Sequence, residues 1–504
     1  MSSSRPDKST VVERHRSKHR EATADVEFGA WIDGERRTAG PNRGVEDPVI
    51  GESIVDAPQS DAGDVDDAVG AAWDAFEGGW ENASVRDRSR RLFEWADVLA
   101  DHVEELTLLE CLDCGKPISQ ARGEVEGAID TLEFYASAVR AQRGSEVPAG
   151  ENLHLYTKQE PYGVVGQIVP WNYPLWAAAW KLGPALAAGN ACVLKPASDT
   201  PLSTIRAAQL SAGIVPDGVL NVVPGSGSEV GQAVAEHEDV RKVSFTGSTG
   251  VGSGVMRAAA DRVAPVTLEL GGKSPFVVFP DADLDTVVPA VADGIFYSTG
   301  EICDAFSRAL VHESVADEFT ERFVEAAESY VLGDPLDEET TMGPLTSQTQ
   351  FETVTEYIET GREEAELLCG GGTPDDPALA DGYYVEPTVF GDVTNEMTVG
   401  SEEIFGPVQT IQTFETYDEA IELANDTQYG LASGIGTEST SLVHRTADDL
   451  DAGLVYVNEY GPIMPDAPYG GFKQSGFGKD LGLEALDHYQ RQKSVYVNLD
   501  EPEL

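Results

Sequence analysis

Cationic side chains are scarce in this chain: of 504 residues only 34 are Lys or Arg, against 88 Asp or Glu, which leaves a formal net charge of −54. Gripping nucleic acid or anionic lipid takes a concentrated basic face, so neither is an expected partner. Long apolar runs are also missing. Nothing approaches the roughly 20 residues of a membrane span, and the amino-terminal stretch lacks the apolar segment of a signal peptide; the expectation is a soluble, cytoplasmic protein. Cysteine is sparse and odd in number, five in all, which argues for free thiols in a reducing compartment rather than a disulfide framework. Cys111 and Cys114 have redox-motif spacing, but they sit in a leucine-rich helical stretch without a thioredoxin flank or a second pair, and are taken as incidental. Histidine is equally thin. His15 and His19 are four apart, yet they lie in a charged, Ser-rich tail whose composition predicts disorder, and no metal-ligand set is expected.

What is present is enough for a large fold. The length suggests about three domains of roughly 150 residues, and 41% hydrophobic content supports a sizeable core. The acidic excess repels itself in dilute buffer and is tolerated where abundant cations screen it, so a salt requirement is expected. Helical spacing of apolar residues runs through Val65 to Phe76, Arg88 to Leu108 and Ala128 to Val139. From Gly163 to Gly272 apolar strands (163–169, 191–195, 218–223) alternate with helices, the pattern of helices crossing over between parallel strands in a doubly wound sheet. The second half repeats the idea and predicts another α/β unit. The segments 154–157 and 493–499 read as lone strands that pair with each other or with a neighbouring subunit.

One βαβ unit carries a chemical cue. The strand Arg241 to Thr246 runs into Gly247-Ser-Thr-Gly-Val-Gly252, then a helix to about Asp261 and a strand to Leu270. Glycines there let a phosphate approach a helix amino terminus, although the spacing is not that of the dinucleotide fingerprint. On that analogy alone Glu269 would hold a ribose hydroxyl.

A second reading of Glu269 comes from its neighbours. Leu268-Glu-Leu-Gly-Gly-Lys-Ser-Pro275 and Phe296-Tyr-Ser-Thr-Gly-Glu-Ile-Cys303 resemble the paired glutamate and cysteine signatures of the aldehyde dehydrogenase superfamily. Pro170-Trp-Asn-Tyr-Pro174, Lys195-Pro-Ala197, Phe245-Thr-Gly-Ser248, Glu402-Glu-Ile-Phe-Gly-Pro407 and Pro468-Tyr-Gly-Gly-Phe-Lys-Gln-Ser-Gly476 follow in the family's order, from about residue 28 to 499. The resemblance implies oxidation of an aldehyde to an acid with NAD or NADP. Cys303 would be the nucleophile, Asn172 the oxyanion donor and Glu269 the base that activates water, which displaces the ribose reading; Lys181 and Asp480 would carry protons to that base. On the cofactor side the resemblance implies Lys195 and Glu403 at ribose hydroxyls, and Phe405, Trp171 and Ile168 as cleft walls. It also implies Ser248 at the pyrophosphate and Gly225 near the adenine end. It divides the chain into a tail (1–24), a Rossmann-like cofactor domain (25–141 and 160–271), an α/β catalytic domain (272–473) and a small β arm for homodimer or homotetramer formation (142–159 and 484–499).

The chain departs from the family pattern at several points. Ser198 stands where NAD-preferring members often carry a glutamate, which leaves NADP open, although Asp199 would oppose a 2′-phosphate. Asp480 is one methylene shorter than the usual glutamate. Glu301 and Asp304 flank the thiol region, and two carboxylates there are expected to raise the pKa of Cys303. Tyr173, Trp176, Trp180 and Tyr297 are candidates for an aromatic substrate tunnel, which also suits a cationic head group such as that of betaine aldehyde or an aminoaldehyde. Two alternatives remain: a CoA-acylating relative, against which Glu269 argues, and a non-catalytic nucleotide-binding homologue whose thiol Asp304 disables.

Overall fold

Strands ending at Glu269, Thr246, Ile168 and Lys195 lie side by side and parallel in the first of two large sheets. The computed structural model of the chain describes residues 8–24, 26–38 and 40–499. This first sheet is eight-stranded, in the order 476–477, 266–269, 242–246, 164–168, 191–195, 220–222, 30–32 and 35–37. Its central strands from 266–269 across to 220–222 are parallel, and the flanking ones antiparallel. Helices cover both faces of an all-parallel centre, so its strands read as nearly unbroken apolar runs such as Ala191-Cys-Val-Leu-Lys195, buried at every position. The second sheet is seven-stranded, in the order 366–369, 388–391, 408–414, 308–312, 275–278, 432–436 and 454–457, with only the 366–369 edge antiparallel. Each sheet carries its own apolar cluster, the first around Val164, Val193, Leu194 and Val243, the second around Phe276, Val278, Phe306 and Ala309. The α/β class expected from the alternation is what forms.

The two lone strands find each other. Gln490–Asn498 pairs antiparallel with Leu153–Pro161 over its whole length, Ser494 opposite Thr157, and Glu146–Val147 adds a short third strand. Residues Glu484–His488 form a helix whose Ala485 and Leu486 pack into the first sheet's core, ahead of that strand.

Three expectations need correction. The segment predicted as a disordered tail contains a helix, Lys8–Thr23, whose Val11, His15, His19 and Ala22 are buried; residues 1–7 lie outside the described residues. Composition misled because the helix is held by partners far along the chain: Arg14 pairs with Asp334 and Asp337, and Arg16 with Glu52. The two histidines, expected to join no ligand set, meet Asp47 in a buried cluster. Finally, the periodic stretch from Arg88 to Leu108 is two helices, Val85–Asp101 and Val103–Cys114, broken at His102, whose ring bonds back to the Val98 carbonyl at 2.8 Å. Apolar spacing persists across the break because both helices bury a face in one core. No helix among the described residues is long and apolar enough to cross a membrane.

Candidate active site

Open α/β sheets bind ligands beyond the carboxyl ends of their strands, and a cavity of about 250 Å³ lies there, lined from the first sheet by Thr246, Gly247, Ser248 and Glu269 and from the second unit by Ile302, Cys303, Asp304, Glu403 and Phe405. Cys303 is presented by an unusual turn. Ser298 (φ 48°), Thr299 (φ 55°) and Gly300 (φ 73°) are consecutive left-handed residues. Each non-glycine residue held this way costs on the order of 1–3 kcal/mol, so neighbours must fix the turn: Gln120 accepts from the Ser298 N–H at 3.1 Å, and Thr299 donates to the Gly343 carbonyl at 3.2 Å. A Cβ at Gly300 would stand 2.3 Å from Gly406 backbone, so only glycine lets the turn press against the 405–407 segment.

The half-buried Cys303 thiol lies 3.1 Å from the Tyr469 hydroxyl. Its pKa is pushed up, first by burial and next by the Asp304 carboxylate, with the Tyr469 contact opposing. The expected role of Glu301 in that shift is not what the geometry gives. Its carboxylate turns away to accept from the Thr346 N–H and hydroxyl (3.0 and 2.7 Å), and it is absent among the main influences on the thiol. Asp304 is held by the hydroxyls of Tyr456 and Tyr460 at 3.1 and 3.3 Å, partners no local motif announced. Replacing Asp304 with Asn therefore removes charge while keeping an acceptor. The thiol pKa falls, thiolate persists to lower pH, and the acid limb of kcat/KM moves downward, with roughly tenfold more activity at its foot. A pH profile whose limb does not move contradicts this.

Asn172 is buried at the cavity wall and donates through Nδ2 to the Glu301 carbonyl at 2.8 Å, which leaves its second N–H for another acceptor. The helix that follows, Pro174–Ala188, is capped from outside: buried Glu110 accepts from the Leu175 N–H at 2.9 Å and from the Ser203 hydroxyl at 2.6 Å. Glu269 closes its strand with both carboxylate oxygens buried and without a hydrogen-bond partner. Burial, and then the charge of Asp480, raise its pKa well above the ordinary carboxylate value. Gly470 makes room for it, since a Cβ there would lie 2.3 Å from Oε1 at a φ of +149°. Lys181 donates to Asp480 at 2.8 Å and to Ser244 at 3.0 Å, all buried. The Asp480 backbone exchanges two bonds with Tyr469 (2.7 and 2.9 Å), which ties this ion pair to the residue facing the thiol.

On the opposite side, Trp171 and Phe405 meet edge to face with centroids 5.3 Å apart. Phe405 holds a φ of +58°, and Gln350 donates to its carbonyl at 2.6 Å. Glu403 accepts from the Gly272 N–H at 2.9 Å; a Cβ at Gly271 would lie 2.0 Å from its carboxylate, and burial pushes its pKa up to about 7. The helix Thr249–Ala260 starts after Ser248 without a side-chain cap, so its first N–H groups face the cavity end unclaimed by a capping oxygen. Ile168 and Lys195 pair in register at the strand ends, and burial draws the Lys195 amine down to about 8. Ser198 donates to the Gly225 carbonyl at 2.7 Å. The demand for glycine at 225 comes from the chain itself, because a Cβ would lie 2.4 Å from Val230 and 3.1 Å from the Ser60 carbonyl.

Of the aromatic tunnel candidates, Tyr173, Trp176 and Trp180 line the cavity and Tyr297 does not; Ile463, unmarked in the sequence reading, and Tyr469, which lies in a quoted motif but was given no role, complete the wall. Cys111 and Cys114 are free and buried, and the Cys114 thiol faces the Trp171 carbonyl at 3.8 Å, a packing role.

The sequence profile described as "Aldehyde dehydrogenase family" matches residues 31–495. The putative aldehyde dehydrogenase DhaS of Bacillus subtilis is 44% identical over 478 residues, which cover 94% of this chain and 96% of the relative. Among solved structures, the indole-3-acetaldehyde dehydrogenase AldA of P. syringae, in complex with NAD+ and IAA, is 41% identical with a TM-score of 0.93, covering 98% of this chain and 100% of that one. A betaine aldehyde dehydrogenase from Staphylococcus aureus in complex with NAD+ is 36% identical with a TM-score of 0.95, covering 97% and 98%.

Proposed function

We infer the division of labour in the cavity from one premise: the chain belongs to the aldehyde dehydrogenase family, and it is an NAD-dependent enzyme that oxidises aldehydes. The observation that carries the reading is the convergence of Cys303, Asn172 and Glu269 on one cavity, with the Glu269 oxygens unengaged.

Cys303, as thiolate, adds to the carbonyl carbon of the aldehyde, and the carbonyl oxygen becomes an alkoxide that the free N–H of Asn172 stabilises. Bound NAD supplies the acceptor for the hydride that leaves this carbon. The acyl group then sits on the Cys303 sulfur as a thioester. Glu269, whose buried carboxylate has a raised affinity for protons, takes one from a water molecule as the oxygen attacks the acyl carbon. The C–S bond breaks, the acid departs and the thiolate is restored. Lys181 and Asp480 stand behind Glu269 to move that proton onward. The residues present fit the cofactor: the uncapped helix start at Ser248 suits a pyrophosphate, Lys195 and Glu403 suit ribose hydroxyls, and Trp171 and Phe405 wall the cleft, with Ile168 buried beside Lys195 at the strand ends. Gly225 serves by its packing and by the carbonyl that fixes Ser198.

Cofactor choice follows from residues 198 and 199. Ser198 offers no charge, while the neighbouring Asp199 pairs with Arg43 and lies near enough to Lys195 for its charge to act on that amine. NAD is expected to give the larger kcat/KM, with NADP gaining in Asp199→Asn; equal constants for both cofactors in the parent enzyme would contradict it. The aromatic wall takes flat apolar aldehydes and, through ring faces, ammonium-bearing ones. Turnover of a panel that includes phenylacetaldehyde and betaine aldehyde, read as absorbance of reduced nicotinamide in concentrated KCl, tests the function. Silence on every pairing with NAD still bound would favour a non-catalytic homologue.

The 490–498 strand forms an edge that exposes Tyr496 and Val497, with Leu499 exposed just past its end, which supports an arm that pairs with another subunit. The five free cysteines support a reducing, cytoplasmic setting. Sedimentation in concentrated KCl should report a dimer or tetramer, and dilution of salt should loosen it as the −54 charge is unscreened. A monomer at high salt would contradict the assignment of the arm.

A further inference from the structure

The helix Lys8–Thr23 precedes the stretch that matches the family profile, residues 31–495, and contributes no residue to the aldehyde cavity. Its buried positions, Val11, His15, His19 and Ala22, recur at intervals of four, four and three along one face. Beneath that face Asp47 ends the strand Asn42–Asp47 and is fully buried. Its Oδ2 lies 2.6 Å from Nδ1 of His15 and 2.6 Å from Nε2 of His19, and the three atoms lie within 4.8 Å of one another. The other oxygen of Asp47 is occupied by the Val49 N–H at 2.9 Å. The other nitrogen of His15, Nε2, faces Asp334 Oδ1 at 2.9 Å, and Asp334 is itself fixed by the Leu336 N–H and by Arg14, each at 2.9 Å.

We propose that His15, His19 and Asp47 form a site for a divalent transition-metal ion of the zinc class, which fastens the amino-terminal helix to the body of the protein. Two imidazoles and one carboxylate suit zinc, cobalt or nickel, whereas calcium and magnesium prefer all-oxygen sets. The surroundings prepare the donors. Asp334 accepts from the Nε2–H of His15, so that Nδ1 is the nitrogen that gives up its proton, shared with Asp47, and turns its lone pair to the ion; a carboxylate behind a ligating histidine is the usual device for fixing its tautomer. Val49 holds Asp47 so that Oδ2 alone faces the histidines. With bonds of about 2.0–2.2 Å, tetrahedral co-ligands stand about 3.3 Å apart, so the 2.6 Å contacts open as the ion enters, and a water completes the set. In its absence the same atoms hydrogen-bond to one another. The site is separate from the aldehyde cavity, none of whose lining residues it shares.

The test uses the full chain carrying Cys303→Ala, so that the reactive thiol offers no competing ligand, stripped with chelator and titrated with Co2+ in KCl. The expected result is one equivalent bound with visible ligand-field bands, displaced by Zn2+, and a Tm that rises when Zn2+ is added. In the same background His15→Gln and His19→Gln should each abolish the bands, and Asp334→Asn should weaken affinity by about 10–100-fold, while NAD+ binding reports that each variant has folded. No cobalt bands, or bands and stoichiometry unchanged in both histidine variants, would overturn the proposal.

Discussion

Glu269→Gln is expected to give a burst of reduced cofactor close to one equivalent per site, then near silence, with steady-state kcat down by about 10²–10⁴-fold, the usual contribution of a positioned base. The burst survives because nothing in the first half of the reaction needs Glu269: the thiol, the Asn172 N–H and the cofactor cleft are untouched. Hydrolysis fails because the amide cannot take a proton from water. Gln is also nearly the size of Glu, so it fits beside Gly470. The pH dependence has a definite sign. Burial raises the Glu269 pKa, so the carboxylate is protonated and idle at low pH, and deacylation in the parent enzyme climbs as pH rises through that pKa. In the variant this climb should vanish. A variant that turns over steadily at the parent rate would place the base elsewhere.

Cys303→Ala is the second large effect. It removes the thiol that bonds the aldehyde carbon, and kcat should fall by about 10⁴-fold or more, as when a covalent nucleophile is deleted. Cofactor affinity should stay within a few-fold of the parent value, because Trp171, Lys195, Glu403 and Phe405 are untouched. Absence of even a burst separates this variant from Glu269→Gln. Residual turnover at a tenth of the parent rate would mean that water attacks directly.

Much of this site was legible in the sequence because its residues sit in short local motifs whose spacing is set by the turns that present them. Glu269 ends a strand, Asn172 precedes a helix, and Ile168 and Lys195 end neighbouring strands, so apolar runs followed by glycine or proline mark each one. The alternation of strands and helices likewise announced the two parallel sheets. What escaped depends on contacts far apart in the chain. Tyr469 reaches Cys303 across 166 positions, and Tyr456 reaches Asp304 across 152; Tyr469 lies in a motif that does not tell which residue it meets, and Tyr456 has no local signature. The left-handed run at 298–300 includes Ser and Thr, residues that do not advertise positive φ. The amino-terminal helix was misread because half of its buried face is histidine, which composition counts as polar, and because its partners Asp47 and Asp334 lie outside any local window.

The central claim is that an acyl group passes through a covalent bond to Cys303. Intact-mass measurement of Glu269→Gln, quenched in acid after mixing with NAD+ and an aldehyde that the parent enzyme oxidises, tests it most directly. The account predicts a single adduct equal to the aldehyde less two hydrogens, mapped to Cys303 and missing when Cys303 is also replaced by Ala. An unmodified chain after a full burst of reduced cofactor would contradict it.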